Sequence, residues 1–290
     1  MNDMLGRRIS YLRLSVTDLC DLRCIYCMPE HGVPKRAHSE ICSLEELCDM
    51  AAAAVSLGVR KVRITGGEPL VRRGVVSLCR MLRALPGLEE LCLTTNGVRL
   101  PELAAPLREA GVDRLNISLD TLRPERYRSI TRIGELSSVL RGLDAAEAVG
   151  FSHTKLNCVL MGGVNDDEIE DFVRLTQARP LSVRFIELMP MGACAKWEKA
   201  RFLPAGAVLD RVPELEPAGT DGVSRLYRIP GAAGTVGLIE PMSHAFCAEC
   251  SRIRITADGK LKPCLHADTE IALRGLHGEA LLDAIRQGIA

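Results

Sequence analysis

The chain of 290 residues predicts an α/β fold, an incomplete TIM-like (βα)6 barrel of parallel strands followed by a C-terminal extension. Three observations predict it. Short β-rich runs alternate with helical patterns, the mark of βαβ units and a parallel sheet. Six such units follow one another before the pattern changes. After about Ala195 the sequence turns to short strands punctuated by Pro and Gly, which places a soft boundary between residues 1–195 and residues 196–290.

Tyr11 to Val16 opens the barrel. The first crossover helix is announced by Ser43 with Glu46 three residues on, a capping box ahead of the alanine-rich run Met50 to Val55, and Gly58 ends it. Val62 to Thr65, Leu91 to Thr95, Arg114 to Leu119, Thr154 to Leu160 and Ser182 to Leu188 supply the remaining barrel strands. Val75 to Leu85, Pro101 to Ala110, Leu136 to Val149 and Asp166 to Ala178 supply the helices between them. In the extension, Arg225 to Ile229, Thr235 to Ile239 and Arg252 to Thr256 read as strands and Glu279 to Arg286 as a helix. Parallel barrels carry their chemistry at the C-terminal ends of strands. Those ends hold Thr17 to Cys27, Gly66-Gly67-Glu68-Pro69, Thr94 to Gly97, Ser118 to Asp120 and Glu187 to Met189.

A hydrophobic content of 47% is enough to bury a sizeable core. Lys plus Arg equals Asp plus Glu at 37 each, so no global field recruits nucleic acid or an anionic membrane, and any anion site must be local. Met1 to Ser10 lacks the apolar centre of a signal peptide, and no run approaches the roughly eighteen apolar residues that span a bilayer. A cytoplasmic protein is expected. In a reducing compartment its twelve cysteines are not expected to be disulfides. Six fall into two spaced triplets; the others, Cys42, Cys48, Cys79, Cys92, Cys158 and Cys194, are expected to be small buried hydrophobes.

The first triplet, Cys20, Cys24 and Cys27, has the spacing C-x3-C-x2-C. Thiolates hold iron–sulfur clusters, and a four-iron cube with only three protein sulfurs keeps one iron open to chelate a small molecule. A zinc knuckle is the alternative, but it wants a fourth Cys or His close by, and His31 and His38 lie past Pro29 in another loop. Tyr26, between two of the ligands, would pack against whatever the cluster binds. Gly66 and Gly67 permit close backbone approach to a ligand, with Glu68 and Pro69 fixing the turn.

The second triplet, Cys247, Cys250 and Cys264, is spaced C-x2-C-x13-C and again leaves one iron open. Ser251 to Thr256 alternates polar and apolar, so on a strand Arg252 and Arg254 share one face beside that cluster. Paired guanidiniums make bidentate contacts to phosphate, although two solvated arginines on an edge strand fit the same pattern. Cations also interrupt barrel strands at Arg13, Lys61, Arg63, Lys155 and Arg184, where parallel strands are usually continuously apolar. Snorkelling explains Lys61 more readily than Arg13. Burying several cations requires an anion, so the barrel mouth predicts a small polyanionic substrate.

The first triplet followed by Gly-Gly-Glu-Pro resembles the radical S-adenosylmethionine superfamily. With the second triplet, Arg252-x-Arg254 and the strings Arg63 to Leu70 and Arg184 to Glu187, the chain resembles the GTP 3',8-cyclase family of molybdenum cofactor biosynthesis, from about Arg7 to the last residue. The resemblance implies a barrel of the radical S-adenosylmethionine type, two 4Fe-4S clusters held by the two triplets, and S-adenosylmethionine contacted by Tyr26, Gly67, Ser118 and Met189. It implies that Arg13, Arg63, Thr94, Lys155, Arg252, Ile253 and Arg254 line a GTP site, with Arg13, Arg252 and Arg254 catalytic. The implied reaction begins with a 5'-deoxyadenosyl radical that takes hydrogen from C3' of GTP, after which C3' bonds to C8 to give 3',8-cyclo-7,8-dihydro-GTP. Implied partners are a flavodoxin or ferredoxin as electron donor, a downstream cyclic pyranopterin monophosphate synthase and a possible second copy in a homodimer, with no nucleic acid and no membrane.

Members of the resembled family continue further and finish in a Gly-Gly tail, whereas this chain stops at Gly288-Ile289-Ala290. The expectation is that it builds both clusters but cyclises GTP poorly. Two rival readings stay open: an auxiliary-cluster enzyme of the same superfamily acting on a peptide, and a non-catalytic redox sensor with exposed thiolates. Formation of 5'-deoxyadenosine only when GTP is present separates the first, and any 5'-deoxyadenosine at all separates the second.

Overall fold

A computed structural model describes residues 2–289 apart from Leu5. Six strands, β1 (Tyr11–Ser15), β2 (Lys61–Thr65), β3 (Glu90–Thr95), β4 (Arg114–Ser118), β5 (Lys155–Leu160) and β6 (Ser182–Glu187), stand side by side in chain order and all run parallel. Each end lies within one residue of the position expected from sequence. On β1 burial alternates, with Leu12 and Leu14 in the core beneath the helices and Tyr11, Arg13 and Ser15 on the opposite face, which lines the barrel interior. That alternation lets one strand serve a core and a chamber together.

The crossovers are α1 (Leu44–Ser56), α2 (Val75–Arg83), α3 (Leu100–Glu109), α4 (Pro124–Thr131), α5 (Leu136–Ala148) and α6 (Ile169–Ala178). The capping box at α1 is complete: the Glu46 amide donates to Ser43 Oγ at 3.0 Å, and the Ser43 amide donates to Glu46 Oε2 at 2.6 Å. Asp166–Glu168 forms a 3-10 turn, so α6 starts later than its sequence pattern suggests. Helix α4 was not expected, because its sequence PERYRSIT shows too few apolar residues for a visible stripe. Tyr127 and Ile130 nevertheless bury almost completely.

The extension supplies α7 (Ala207–Arg211), β7 (Glu216–Asp221), β8 (Ser224–Arg228), β9 (Thr235–Ile239), β10 (Arg252–Ile255), β11 (Lys260–Lys262), β12 (Ile271–Ala272) and α8 (Gly278–Ile289). It does not sit to one side. Strand β9 adds in parallel to β6 and β10 adds in parallel to β1, so the extension occupies both open edges of the six-stranded wall. Beyond β9 lie β8 and β7, and beyond β10 lie β11 and β12, all antiparallel. The result is one sheet of twelve strands that runs without a break past the expected boundary near residue 195. Cys42, Cys48, Cys79, Cys92, Cys158 and Cys194 are all buried, as their reading as small hydrophobes anticipated. Among the described residues no helix is long and apolar enough to cross a membrane.

Candidate active site

The first triplet lies in the loop that leaves the C-terminal end of β1, and three structures hold that loop. Helix α4 is one: its C-terminal carbonyls at Thr131 and Ile130 accept from the amides of Arg23 and Ile25 at 3.0 and 2.9 Å. Arg132, which caps α4 with a φ of 65°, donates from Nη1 to the carbonyls of Arg23 at 2.7 Å and Met28 at 3.1 Å. The Gly-Gly turn after β2 is the second. Gly67 N donates to Thr17 O and Glu68 N to Leu19 O, each at 2.8 Å. A Cβ on Gly67 would stand 2.4 Å from Leu19 O and 2.6 Å from Asp18 O, so only glycine permits this approach. The glycines thus serve the cysteine loop itself as well as any ligand above it.

The third is a pair of buried carboxylates. Glu68 accepts from the amides of Leu70 and Asn96 and from Thr95 Oγ1, at 2.6 to 2.9 Å. Burial pushes its pKa up to about 7 against the pull of those donors. Asn96 passes the constraint on, donating from Nδ2 to Asp21 at 2.7 Å, next to Cys20. Asp120, whose pKa burial raises to about 6, accepts the Tyr26 hydroxyl at 2.7 Å and the Val159 amide at 2.8 Å. Tyr26 is therefore fixed between Cys24 and Cys27 by a residue that the sequence reading placed at a strand end without giving it a role.

The donor chemistry fits a cluster. Burial raises the Cys20 and Cys24 thiols and pushes Cys27 up to about 12, so these sulfurs lose their protons readily only to a cation bound among them. Among the described residues no three His, Cys, Asp or Glu side chains converge on a single metal ion. In a four-iron cube each thiolate binds a different iron, so its three sulfurs need not converge on one point.

The second triplet lies at the opposite end of the strands. Cys247 and Cys250 flank the 3-10 turn Cys247–Glu249 just before β10, and Arg7 Nη1 donates to the Cys247 carbonyl at 2.8 Å. Strand β11 returns antiparallel with Lys262 opposite Arg254. Continued by two residues, that register sets Cys264 across from Arg252, beside Cys250. Glu187 at the end of β6 orders the preceding loop: its carboxylate accepts from the amides of Ala205, Met242 and Ser243 and from the Ser243 hydroxyl. Glu187→Ala is expected to destabilise the protein by about 1–3 kcal/mol, chiefly by stranding the buried Ala205 amide, and to lower iron content through the loop that leads to Cys247. Urea unfolding and iron analysis read both.

Between the two triplets runs a cationic interior. Register places Arg13 beside Arg63 on one neighbour and Arg254 on the other, with Tyr11 beside Arg252. The Tyr11 ring has Lys61, Arg63 and Arg252 at 5.2, 5.9 and 5.8 Å from its centroid, and its hydroxyl accepts from Arg63 Nε. Arg63 also donates to Thr94 Oγ1 at 3.4 Å. Lys61 meets Glu90 at 2.5 Å, while Lys155 and Arg184 share Asp221. Among the described residues Arg13, Arg63, Arg252 and Arg254 have no carboxylate within 4.0 Å. Burial, followed by the charges of Arg254, Arg252 and Arg63, lowers the Arg13 pKa to about 9, and Arg13 Nε is buried with no partner. Asn116 and Asn157, on neighbouring interior positions, each bury an unpaired Oδ1. Ile253 is the exception among the predicted residues: its side chain is 1% exposed in the core, on the far face from Arg252 and Arg254, so only its main chain is available to a site.

Five residues of β1 at about 3.3 Å each separate the two ends by roughly 17 Å, a span suited to an extended nucleotide with a second small molecule above it. Sequence reasoning missed Tyr11, Asp120 and Asp221. Tyr11 was legible as the one aromatic on a strand otherwise marked by Arg13; the two aspartates were not, because their partners come from distant segments.

The sequence pattern of the Radical SAM superfamily matches residues 14–176, and that of Molybdenum Cofactor Synthesis C matches residues 181–289. The chain is 50% identical over 288 residues to the GTP 3',8-cyclase of Alkaliphilus oremlandii, covering 99% of this chain and 88% of that one. It is 55% identical over 277 residues to the GTP 3',8-cyclase of Peptoclostridium acidaminophilum, covering 94% and 85%. Among solved structures, Streptococcus suis SuiB bound to S-adenosylmethionine superposes with a TM-score of 0.66 at 16% identity, over 98% of this chain and 64% of that one. Escherichia coli coproporphyrinogen III oxidase (HemN), a radical SAM enzyme, gives 0.51 at 16% identity over 80% and 64%. At such identities these two speak for the fold alone.

Proposed function

The chain belongs to the GTP 3',8-cyclase family of radical S-adenosylmethionine enzymes, and from that premise we propose how its own residues divide the work. The activity is conversion of GTP to 3',8-cyclo-7,8-dihydro-GTP, the first step of molybdenum cofactor biosynthesis, with two 4Fe-4S clusters and S-adenosylmethionine as cofactors. One observation carries the residue assignments. Four arginines that line a chamber between two cysteine triplets have no carboxylate partner among the described residues, which is the electrostatic complement of a polyphosphate.

Cys20, Cys24 and Cys27 would hold the first cluster and Cys247, Cys250 and Cys264 the second. When bound with S-adenosylmethionine, the first cluster supplies a 5'-deoxyadenosyl radical. Tyr26, Gly67, Ser118 and Met189 would bind S-adenosylmethionine at the C-terminal ends of the strands, Tyr26 being held rigid by Asp120. At the other end, Arg252, Arg254 and Arg13 act on the nucleotide directly, with Arg63, Thr94, Lys155 and the main chain of Ile253 completing its site. Arg63 is pre-aimed by Tyr11 and Thr94. Ring closure joins two atoms of one bound molecule, so the protein's task is to hold that molecule at both ends and keep water away.

The division of labour follows residues 1–195 for the barrel that makes the radical and residues 196–290 for the second cluster. A low-potential flavodoxin or ferredoxin as donor, a downstream cyclic pyranopterin monophosphate synthase, a homodimer and a cytoplasmic location complete the proposal. Anaerobic incubation of reconstituted protein with GTP, S-adenosylmethionine and dithionite tests it. Mass spectrometry is expected to find an isomer of the nucleotide together with 5'-deoxyadenosine. If 5'-deoxyadenosine forms at the same rate without GTP and no nucleotide isomer accumulates, the assignment of the chamber to GTP is wrong.

A further inference from the structure

Among the described residues Asp221 is the single carboxylate bound to the cation pair Lys155 and Arg184, and the geometry of that contact is uneven. The two cations come from β5 and β6 and their side chains are only 6% and 7% exposed; Asp221 is 37% exposed. It belongs to the tip of the hairpin formed by β7 and β8, where β7 is the outermost strand of the sheet and is exposed along most of its length. Gly222, with a φ of 60°, turns the chain there. The cations are thus fixed in the wall, and the anion arrives on a solvent-facing turn.

Both cations contact the same oxygen. Lys155 Nζ lies 2.7 Å from Asp221 Oδ2 and Arg184 Nη2 lies 2.5 Å from the same atom. A phosphate group, with three terminal oxygens, can give each cation its own acceptor and satisfies the guanidinium fork better than one shared oxygen does. Among the described residues the neighbouring interior arginines Arg13, Arg63, Arg252 and Arg254 show no such internal anion. Among the described interior cations, this pair and Lys61, which meets Glu90, are already neutralised from within.

Resting on the reading of the chamber as a GTP site, we propose that Asp221 is a specificity-determining residue: it stands in for a phosphate on Lys155 and Arg184, and a nucleotide must displace it to bind. The exchange sets a threshold. A ligand without phosphate gains nothing from the pair, and one with several phosphates offsets the loss of the Asp221 contact while also engaging the unpaired arginines. Burial and the Arg184 charge lower the Lys155 pKa to about 8, with Asp221 opposing both, which is consistent with a site that always wants an anion.

The test is calorimetric titration of reconstituted wild-type, Asp221→Asn and Asp221→Ser proteins, without reductant, against GTP, guanosine and inorganic tripolyphosphate. Asparagine keeps the size of the side chain, and serine serves if asparagine perturbs folding; thermal unfolding compares the three proteins. Asp221→Asn is expected to bind GTP and tripolyphosphate roughly tenfold tighter, the surface exposure of Asp221 limiting the gain, and guanosine unchanged. Unchanged or weaker binding of tripolyphosphate in both variants overturns the proposal, because Asp221 would then merely orient the cations. An equal change for guanosine overturns it too. Wild-type protein that binds tripolyphosphate but not GTP contradicts the nucleotide reading while the anion exchange stands.

Discussion

Cys24→Ser abolishes 5'-deoxyadenosine formation and lowers iron from about eight to about four atoms per reconstituted chain. This is the expected result, and the geometry explains its severity. Cys24 lies in a loop held from beneath by α4 and from the side by the Gly-Gly turn, so the position of this ligand is fixed by main-chain bonds. Burial already raises the Cys24 thiol, and a serine hydroxyl in the same place releases its proton far less readily, so one iron would lose its protein ligand. The second triplet, at the other end of the strands, keeps its four irons. Activity within tenfold of wild type, or loss of all iron, would count against separate clusters at the two ends.

Gly67→Ala is expected to cost about 2–4 kcal/mol and to reduce iron incorporation together with stability. The new methyl meets Leu19 O, Asp18 O and Leu19 C at 2.4, 2.6 and 2.7 Å, all main-chain atoms that cannot rotate away. Relief requires the two turns to separate, which breaks the bonds from Gly67 N to Thr17 O and from Glu68 N to Leu19 O. The displaced segment leads directly into Cys20, so the damage reaches the metal site before any ligand binds. Gly206→Ala provides the comparison: nothing lies within 4 Å of its Cβ position, and the change should stay within about 0.5 kcal/mol. Urea midpoints and iron per chain measured on both variants decide the matter; wild-type values for Gly67→Ala would show that the close approach is not required.

The sequence read well wherever a feature depended on neighbours along the chain. The six barrel strands, the capping box at Ser43 and Glu46, the burial of the six ungrouped cysteines and the shared face of Arg252 and Arg254 are all local in this sense. Helix α4 escaped because its apolar surface is two residues wide, although its carbonyl end is what holds the cysteine loop. The role of Asp221 was illegible for a different reason. Its partners Lys155 and Arg184 sit on other strands, and no periodicity in β7 announces them. The same holds for Asp120 with Tyr26, which are 94 positions apart. The placement of β9 and β10 on opposite flanks was equally out of reach, since strand pairing at long range leaves no trace in either segment alone.

That placement governs how the protein can be made. A ribosome delivers β1 first, yet the strand that borders it on the outer side, β10, emerges some 240 residues afterwards, as the separation of Arg7 from Cys247 indicates. Until then the nascent wall carries two raw margins of unpaired amides and carbonyls, the kind of surface that recruits other chains. Folding here is completed late and at both margins within the same stretch of synthesis, so chaperone protection during translation matters more than the tidy order of the first six strands suggests.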